Sequence, residues 1–180
     1  MCAQDKEHID LLNTEEGWRK ETFRFPMRFA QEVDFDGVAD VRFTKGWQDQ
    51  TSPEFWSYIF AWNIILEEKL SESAIENYMH LYFDGLMNVV KKDKSMVLPP
   101  SSAVFTSTET LEGVDYKGKI RFYDAFFTED IMTLNVLVTY KYCQEENKTI
   151  YVFRLSPKDM DDALWQHIKK PSLKKDICKL

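Results

Sequence analysis

Residues 71–94 read SESAIENYMHLYFDGLMNVVKKDK and contain the clearest structural pattern in the chain. Ser73 followed by Glu76 is a capping-box signature, and Ser71 is an alternative cap. Lys91–Lys94 suit the negative end of a helix dipole, and the two prolines that follow cannot continue a helix. The pattern therefore predicts a helix of about five turns. Its apolar residues recur at the spacing of one helix face: Ile75, Tyr78, Met79, Tyr82, Leu86, Val89 and Val90.

Both flanks of this helix have strand patterns. Upstream, period-two alternation with aromatic and β-branched residues predicts three strands, at residues 20–25, 39–43 and 54–65. Downstream, four strands are predicted, at residues 104–111, 119–127, 131–143 and 149–155. The two-glycine segment 112–118 is predicted to be a loop. Ser156 and Pro157 then have the order of a cap and a first helical residue, which predicts a second helix that ends before Pro171.

The element order is three strands, a long helix, four strands and a second helix. Because helices do not alternate with strands, a doubly wound parallel sheet is not expected. We expect an α+β fold in a single domain: an antiparallel sheet of about six to seven strands with a long central helix and a C-terminal helix packed on it. The domain would span residues 18–170, between an N-terminal arm (1–17) and a loosely held basic tail (171–180). The apolar residues 9–12 are expected to form a short helical turn or an arm.

This element order resembles the PsbP-like fold group, which is named for an extrinsic photosystem subunit and shared by a nuclear-import factor. Members of that group are mostly binding or assembly proteins, so the resemblance implies such a role and supplies no catalytic motif to carry over. Over residues 18–170 the chain also resembles an uncharacterised bacterial protein family, through Phe23-x-Phe25-Pro26-x-x-Phe29-Ala30, Asp40-Val41-Arg42-Phe43-x-x-Gly46-Trp47, Phe55-Trp56-Ser57-Tyr58-x-Phe60-x-Trp62, Tyr82-x-x-Gly85-Leu86 and Leu155-Ser156-Pro157.

The charge balance and the apolar content of the chain limit the kinds of partner that it is expected to bind. The chain has 180 residues and a formal net charge of −7, with 23 Lys and Arg against 30 Asp and Glu. Such a balance argues against nucleic-acid binding, which normally needs a basic surplus. No apolar run approaches the roughly 18–20 residues of a membrane span, so no transmembrane segment is expected. We therefore expect the binding partner to be an unidentified protein or a small ligand.

The first residues, Met1-Cys2-Ala3-Gln4-Asp5, lack the basic and apolar regions of a signal peptide, which predicts a cytoplasmic protein as written. The alternative is a trimmed signal, with the protein exported or lipid-anchored through Cys2. The three cysteines have no C-x-x-C spacing and give no disulfide framework. We expect Cys143 to be a buried, free strand thiol, and Cys2 and Cys178 to lie in mobile termini.

No motif for catalysis, nucleotide binding or metal binding occurs in the sequence, so no cofactor and no metal are expected. The histidines, His8, His80 and His167, have no metal-ligand spacing. Asp34-x-Asp36-Gly37 begins like a calcium loop but lacks the closing glutamate. The remaining acidic pairs fall in turns and helix starts, where solvation or capping explains them: Glu67/Glu68, Glu145/Glu146 and Asp161/Asp162.

Gly85 lies inside the predicted long helix, where glycine costs about 1 kcal/mol relative to alanine. Such a residue is typical of a place where another backbone or an aromatic ring approaches closely. We expect it to pack against the sheet rather than to contact a ligand.

The third predicted strand concentrates aromatic residues on one face. With period two, Trp56, Tyr58, Phe60 and Trp62 share a face, which would form either the core layer beneath the long helix or a stacking platform for a planar or sugar-like ligand. We favour the core, and keep Trp56, Tyr58 and Trp62 as candidate contacts for a ligand or partner. Trp47, in the preceding loop, is expected to be the most exposed of these aromatics and the better contact.

Two functional hypotheses follow. The first is a non-catalytic ligand-binding or assembly domain. The second is a small hydrolase or isomerase whose site combines scattered Asp, His and Arg residues. A histidine close to a buried carboxylate in a cleft would favour the second, and a closed core with an apolar groove would favour the first.

Overall fold

A seven-stranded antiparallel sheet is the framework of the protein. The structure is a computed structural model that describes residues 10–110 and 113–179. Helix α1 spans Glu72–Val90 and helix α2 spans Leu164–Lys169. The strands of the described chain are β1 (Leu12–Asn13), β2 (Arg19–Arg24), β3 (Gly37–Phe43), β4 (Tyr58–Ile65), β5 (Ser102–Thr110), β6 (Gly113–Tyr123), β7 (Ile131–Cys143), β8 (Lys148–Ser156) and β9 (Ser172–Leu173).

The main sheet has the strand order β2-β3-β4-β8-β7-β6-β5, and every neighbouring pair is antiparallel. Helix α1 carries the chain across one face, from the central β4 to the edge strand β5. The predicted α+β fold, a single domain with helices packed on an antiparallel sheet, is confirmed. Neither helix of the described chain is long and apolar enough to cross a membrane.

Strand β4 is buried on both faces and separates two hydrophobic cores. Phe60 and Trp62 belong to the larger core, which α1 covers, whereas Ile59 and Ala61 belong to the smaller core, which α2 covers. All four side chains are 0% exposed. The predicted alternation of the two strand faces is therefore confirmed.

Helix α1 is confirmed, but its buried face is rotated from the predicted stripe. Phe83 and Met87 are buried although the stripe left them out, and Val89, which it included, is 57% exposed. The ring of Phe83 packs on Phe122 of β6, with centroids 4.6 Å apart, because the helix also lies over the β5–β6 side of the sheet. The other members of the predicted stripe are buried (Ile75, Met79, Tyr82) or half-buried (Tyr78, Leu86, Val90).

The start of α1 is fixed by its N-cap and by two tyrosines. Ser71, the alternative cap, accepts a hydrogen bond from the amide three residues on, at 3.2 Å. The preceding residue, Leu70, donates its amide to Tyr151 Oη (2.9 Å) and accepts from Tyr116 Oη (2.6 Å). Because burial raises the pKa of Tyr151 to about 12, its hydroxyl stays protonated at neutral pH.

Gly85 is the point where α1 meets the loop between β2 and β3. A Cβ at this position would lie 1.7 Å from the carbonyl oxygen of Phe29, so only glycine allows this contact. The predicted close approach is confirmed, but the neighbour is a loop backbone and not the sheet.

Gly85→Ala should lower the free energy of unfolding by about 1–3 kcal/mol, because the added methyl forces the helix and loop apart. In an ordinary helix the same change is stabilising by about 1 kcal/mol, so the sign of the effect identifies the contact. The measurement is a denaturant titration, with Asn77→Ala on the exposed face of α1 as the control, expected within about 0.5 kcal/mol of wild type. A stabilised Gly85→Ala protein would contradict the contact.

Two strand boundaries differ from the prediction for packing reasons. Residues 113–118, predicted as a loop, belong to β6, which ends at Tyr123. Gly118 is needed for a close contact between two strands and not for a turn. A Cβ at this position would lie 2.4 Å from Cδ1 of Phe105 on the neighbouring strand. Strand β4 starts four residues later than predicted, because Trp56 has a left-handed backbone (φ 54°) that ends the turn before it.

The second helix begins at Leu164 and not at Pro157, so the predicted cap is wrong. Ser156 ends β8 instead, and its hydroxyl lies 2.9 Å from Ser57 Oγ beside β4. Asp162 Oδ1 accepts a hydrogen bond from the Leu164 amide at 2.8 Å. The serine hydroxyl that was assigned to a helix cap therefore joins two neighbouring chain segments.

The chain ends cover the face of the sheet opposite α1. Strand β1 pairs with β9, and Leu12 and Ile177 are 1% and 0% exposed. Of the two expectations for residues 9–12, a helical turn or an arm, the described part forms an arm. The expectation of a loosely held tail is wrong for the described residues, because burying these apolar side chains against the sheet favours an ordered tail.

A charged cluster ties this arm to the sheet. Asp40 is 0% exposed; it accepts two hydrogen bonds from Arg42 (2.7 and 2.9 Å) and one from the Leu11 amide (2.8 Å). Arg42 also contacts Asp10, to which Lys174 of the tail donates at 3.0 Å. Burial opposes ionisation of Asp10, but hydrogen bonds from Lys174 and Arg42 outweigh it and hold its pKa well below the usual range.

A disulfide joins Cys143, at the end of β7, to Cys178 in the tail, with the two Cα atoms 5.4 Å apart. The prediction that Cys143 is a free thiol is wrong, and Cys178, expected in a mobile terminus, is cross-linked to the end of β7. The two residues are 35 positions apart in the chain, and only the return of the tail to the sheet brings them together. Cys2 lies outside the described residues.

Reduction of this disulfide should lower the free energy of unfolding by about 2–4 kcal/mol, because the cross-link restricts the unfolded chain. Denaturant titrations with and without reductant measure the loss. The Cys178→Ser variant is the control, since its stability should not respond to reductant. Non-reducing mass spectrometry should find the 143–178 linkage; free thiols at both positions in the native protein would contradict it.

Candidate binding cavity

An aromatic cavity of about 400 Å³ lies between α1 and the sheet strands β2, β3 and β4. Its wall contains three aliphatic residues, Val41, Leu86 and Val90, and three polar ones. The other nine lining residues are aromatic: Phe23, Phe29, Phe43, Trp47, Trp56, Tyr58, Tyr82, Phe126 and Phe127. The interior is therefore an apolar chamber made of ring faces and edges.

One wall comes from the loop between β3 and β4. The amide of Trp56 donates to the Trp47 carbonyl (3.1 Å), and the Gly46 amide donates to Glu54 Oε2 (2.8 Å). These bonds close the loop on itself and bring the two indoles together, with ring centroids 5.6 Å apart. The left-handed backbone at Trp56 turns the chain into β4 immediately afterwards.

A second wall comes from the loop between β6 and β7, which Asp124 organises. Asp124 is 0% exposed. Its Oδ1 accepts from the amides of Phe126 (2.9 Å) and Phe127 (3.2 Å), and its Oδ2 accepts from the amide and hydroxyl of Thr128 (2.9 Å each). This loop seats Phe127 against Trp47, with centroids 5.1 Å apart. One buried carboxylate thus holds the aromatic wall in place.

Three polar atoms in the lining residues have no hydrogen-bond partner within the described part of the chain: Trp47 Nε1, Trp56 Nε1 and Tyr58 Oη. Leaving a buried donor unpaired costs about 1–3 kcal/mol. Burial, with a smaller contribution from Tyr82, raises the pKa of Tyr58 well above its usual value, so this hydroxyl is a protonated donor at neutral pH. These three donors are therefore unpaired and buried behind the surface of the cavity.

The polar lining residues, Arg19, Glu21 and Gln48, mark the opening. The Arg19 and Glu21 side chains are 54% and 36% exposed and form an ion pair. The Arg19 guanidinium also lies over the rings of Phe43 (5.3 Å) and Trp47 (6.0 Å). The opening therefore has one paired cation, one paired anion and an exposed amide.

The structure brings together three of the four residues singled out in the sequence. Trp47, Trp56 and Tyr58 line the cavity, whereas Trp62 does not and packs on Phe153 in the core. The expected exposure of Trp47 is wrong: it is 5% exposed, because neighbouring aromatic rings enclose it. Whether these side chains contact a ligand stays a prediction.

Sequence reasoning missed the wall from the β6–β7 loop. The sequence pattern predicts a strand that continues through residue 127, whereas β6 ends at Tyr123 and Phe126 and Phe127 lie in the loop that follows it. The available signal was an aspartate followed by Thr128, the local pattern by which an acidic side chain caps the amides of a turn.

The histidines of the described chain do not line the cavity. His80 Nδ1 lies 2.9 Å from the Ser101 carbonyl oxygen and 3.1 Å from Ser101 Oγ. Since a carbonyl only accepts, Nδ1 donates and cannot take a proton from the serine, as a nucleophile–base pair requires. His167 Nε2 lies 3.3 Å from Glu54, and no metal-binding group of acidic, Cys or His residues occurs among the described residues.

No protein-family model, curated protein or solved structure matches this chain. The resemblance to the PsbP-like group and to the bacterial family therefore stays a prediction.

Asp124→Asn should destabilise the β6–β7 loop, because an amide NH₂ replaces one acceptor that faces amide and hydroxyl donors. We expect a loss of about 1–3 kcal/mol in the free energy of unfolding and faster amide hydrogen exchange at residues 126–128. Asp130→Asn, on the exposed end of the same loop, retains an acceptor oxygen for its single bond to the Ile131 amide and should change little. Equal behaviour of the two variants would contradict the organising role of Asp124.

Proposed function

We propose that this protein is a non-catalytic binding domain whose aromatic cavity takes a small apolar ligand. The observation that carries the proposal is the cavity of about 400 Å³ between α1 and the sheet, nine of whose lining residues are aromatic. Small-molecule sites are typically concave, mainly apolar and about 300–1,000 Å³ in volume, with a few polar groups that orient the ligand. This cavity has that size and composition.

The concave shape supports a small ligand over a protein partner as the occupant. The aromatic side chains line a concave space beneath α1 and are buried or half-buried, so a flat protein surface would make little contact with them. The alternative, a hydrolase or isomerase with scattered Asp, His and Arg residues, needs a histidine and a buried carboxylate in one cleft. The described residues offer no such pair in the cavity.

We further propose that the protein works in an oxidising compartment, which corresponds to export and not to the cytoplasm. The disulfide between Cys143 and Cys178 supports this, because structural disulfides persist in secreted and periplasmic proteins and are rare in the reducing cytosol. Of the two localisations drawn from the sequence, this favours the exported or lipid-anchored one.

Binding of N-phenyl-1-naphthylamine, an uncharged aromatic dye, tests the proposed function. The dye should bind saturably with one molecule per chain and increase in fluorescence as it leaves water. Val90→Phe places a ring into the cavity and should weaken dye binding at least about tenfold, the effect of about 1.4 kcal/mol.

Val89→Phe is the matched control, because Val89 is the adjacent residue of α1, faces solvent and does not line the cavity. It should bind the dye as wild type does. Absence of saturable binding to the wild-type protein, or equal weakening by both variants, would overturn the proposed site.

A further inference from the structure

We infer that residues 89–97, which run from the last turn of α1 into the loop after it, dock the protein on a membrane surface rich in anionic phospholipid. The inference goes beyond the proposed function, because the lipid is contacted from outside while the cavity takes its own ligand. It depends on exposed apolar side chains, on lysines without a carboxylate partner and on the position of this segment beside the cavity.

Segment 89–97 exposes three large apolar side chains. Val97 is 90% exposed, Val89 is 57% exposed and Met96 is 37% exposed. Single exposed apolar residues are common on protein surfaces, whereas a group of them marks a surface that binds a partner. In the rest of the described chain the exposed large apolar residues are scattered over separate places: Ile65, Val104, Ile131, Tyr142 and Met160.

Hydrogen bonds from two lysines hold the segment together. Lys94 Nζ donates to the Val89 carbonyl oxygen at 2.7 Å, and Lys91 Nζ donates to the Met96 carbonyl oxygen at 2.6 Å. The chain after α1 therefore folds back against the helix end. The exposed apolar residues belong to one compact turn and not to an extended stretch of chain.

The same turn carries positive charge. Segment 89–97 contains three lysines and one aspartate. Lys92 pairs with Glu129, but Lys91 and Lys94 make no ion pair with a described residue and bond to neutral oxygens. Such bonds leave the charge of each ammonium uncompensated. Two free cations beside exposed aliphatic groups complement a surface of anionic headgroups above an apolar acyl region.

The net charge of −7 does not oppose this contact. At about 0.1 M salt, exposed charges more than roughly 10 Å apart are largely screened. The groups that lie against the bilayer therefore decide the interaction, and in this turn the cations outnumber the anions.

Lipid fits this surface better than a folded protein partner does. The cores of protein interfaces are enriched in aromatic residues and arginine and depleted in lysine, whereas this turn has three lysines and no aromatic ring. At a bilayer, the aliphatic side chains enter the boundary between headgroups and acyl chains. The long lysine side chains keep their charge at the level of the headgroups.

The segment is continuous with the wall of the aromatic cavity. Val90 lines the cavity, and Lys92 pairs with Glu129 of the β6–β7 loop, which contributes Phe127 to the same wall. A protein docked through this turn holds its cavity close to the lipid phase, where small apolar molecules concentrate. This argument alone rests on the proposed function; the arguments from exposure and charge do not.

Co-sedimentation with phospholipid vesicles tests the docking. The wild-type protein should bind vesicles made of equal parts of phosphatidylglycerol and phosphatidylcholine at least about tenfold more tightly than vesicles of phosphatidylcholine alone. About 1 M salt should remove this preference, because exposed charges are then screened within roughly 3 Å. These two measurements need no variant.

Val97→Asp places a carboxylate at the most exposed apolar position and should weaken binding to the mixed vesicles at least about tenfold, since a charge is costly to bring into an apolar phase. Val104→Asp is the matched control, because Val104 is also exposed, at 59%, but lies on the edge strand β5. It should bind the mixed vesicles as wild type does.

A double variant, Lys91→Gln with Lys94→Gln, removes the two free cations. It should bind the mixed vesicles about tenfold more weakly and leave binding to phosphatidylcholine vesicles unchanged. Lys117→Gln with Lys119→Gln is its control, because it removes two exposed cations of β6 and should change neither. Far-UV circular dichroism should show all four variants folded, since the substituted side chains are exposed or, for Lys91, half-buried.

Equal binding of the wild-type protein to both kinds of vesicle, or binding to neither, would overturn the docking and leave a protein as the occupant of this surface. Equal weakening by Val97→Asp and Val104→Asp, or weakening by the β6 double variant alone, would also overturn it. Binding of N-phenyl-1-naphthylamine is measured without vesicles. The docking can therefore fail while the cavity still binds the dye, and the cavity can fail while the vesicles still bind.

Discussion

The burial of β4 on both faces is the constraint on which the other features depend. A strand with one face toward water needs only one covering layer, but here both Phe60 and Ile59 are fully buried, so both faces need one. Helix α1 supplies the cover on the aromatic side, while α2 and the chain ends supply it on the other. The central position of β4, between β3 and β8, is consistent with its role as the shared wall of two cores.

The cavity follows from how α1 is held above this aromatic layer. The helix is fixed at its start by the tyrosine hydrogen bonds to Leu70 and near its end by the Gly85 contact with the Phe29 carbonyl. Between these points, large rigid rings meet at edge-to-face angles and line the space that is left between the helix and the sheet. The two loops that contribute Trp47 and Phe127 enclose the resulting space instead of filling it.

The opposite face is held by different forces. Its core is smaller, and buried charges and a covalent bond supplement the hydrophobic contacts there. Asp40 and Arg42 neutralise each other beneath the N-terminal arm, Asp10 joins them to Lys174, and the disulfide fixes the tail to the end of β7. A face covered by two short chain ends has few residues to order it, and ion pairing and a cross-link compensate for that. The aromatic cavity lies on the other face, so its walls do not depend directly on these contacts.

The sequence by itself determined the class of fold, because this depends on local periodicity: the helical spacing around Met79, the period-two alternation in β4 and the order of the elements. It also indicated Gly85 as a place of close approach, because the energetic cost of a glycine inside a helix is visible in the sequence alone. The clustering of aromatic residues along the chain identified three of the residues that line the cavity. Tertiary structure decided what depends on distant neighbours. Trp47 is buried because Phe127, eighty positions along the chain, lies against it; the phase of α1 follows from Phe122 on β6; and Cys143 meets Cys178 only after the tail returns to the sheet. Enclosure, unpaired donors and disulfide pairing are properties of chain segments that meet across the fold, and no local pattern encodes them.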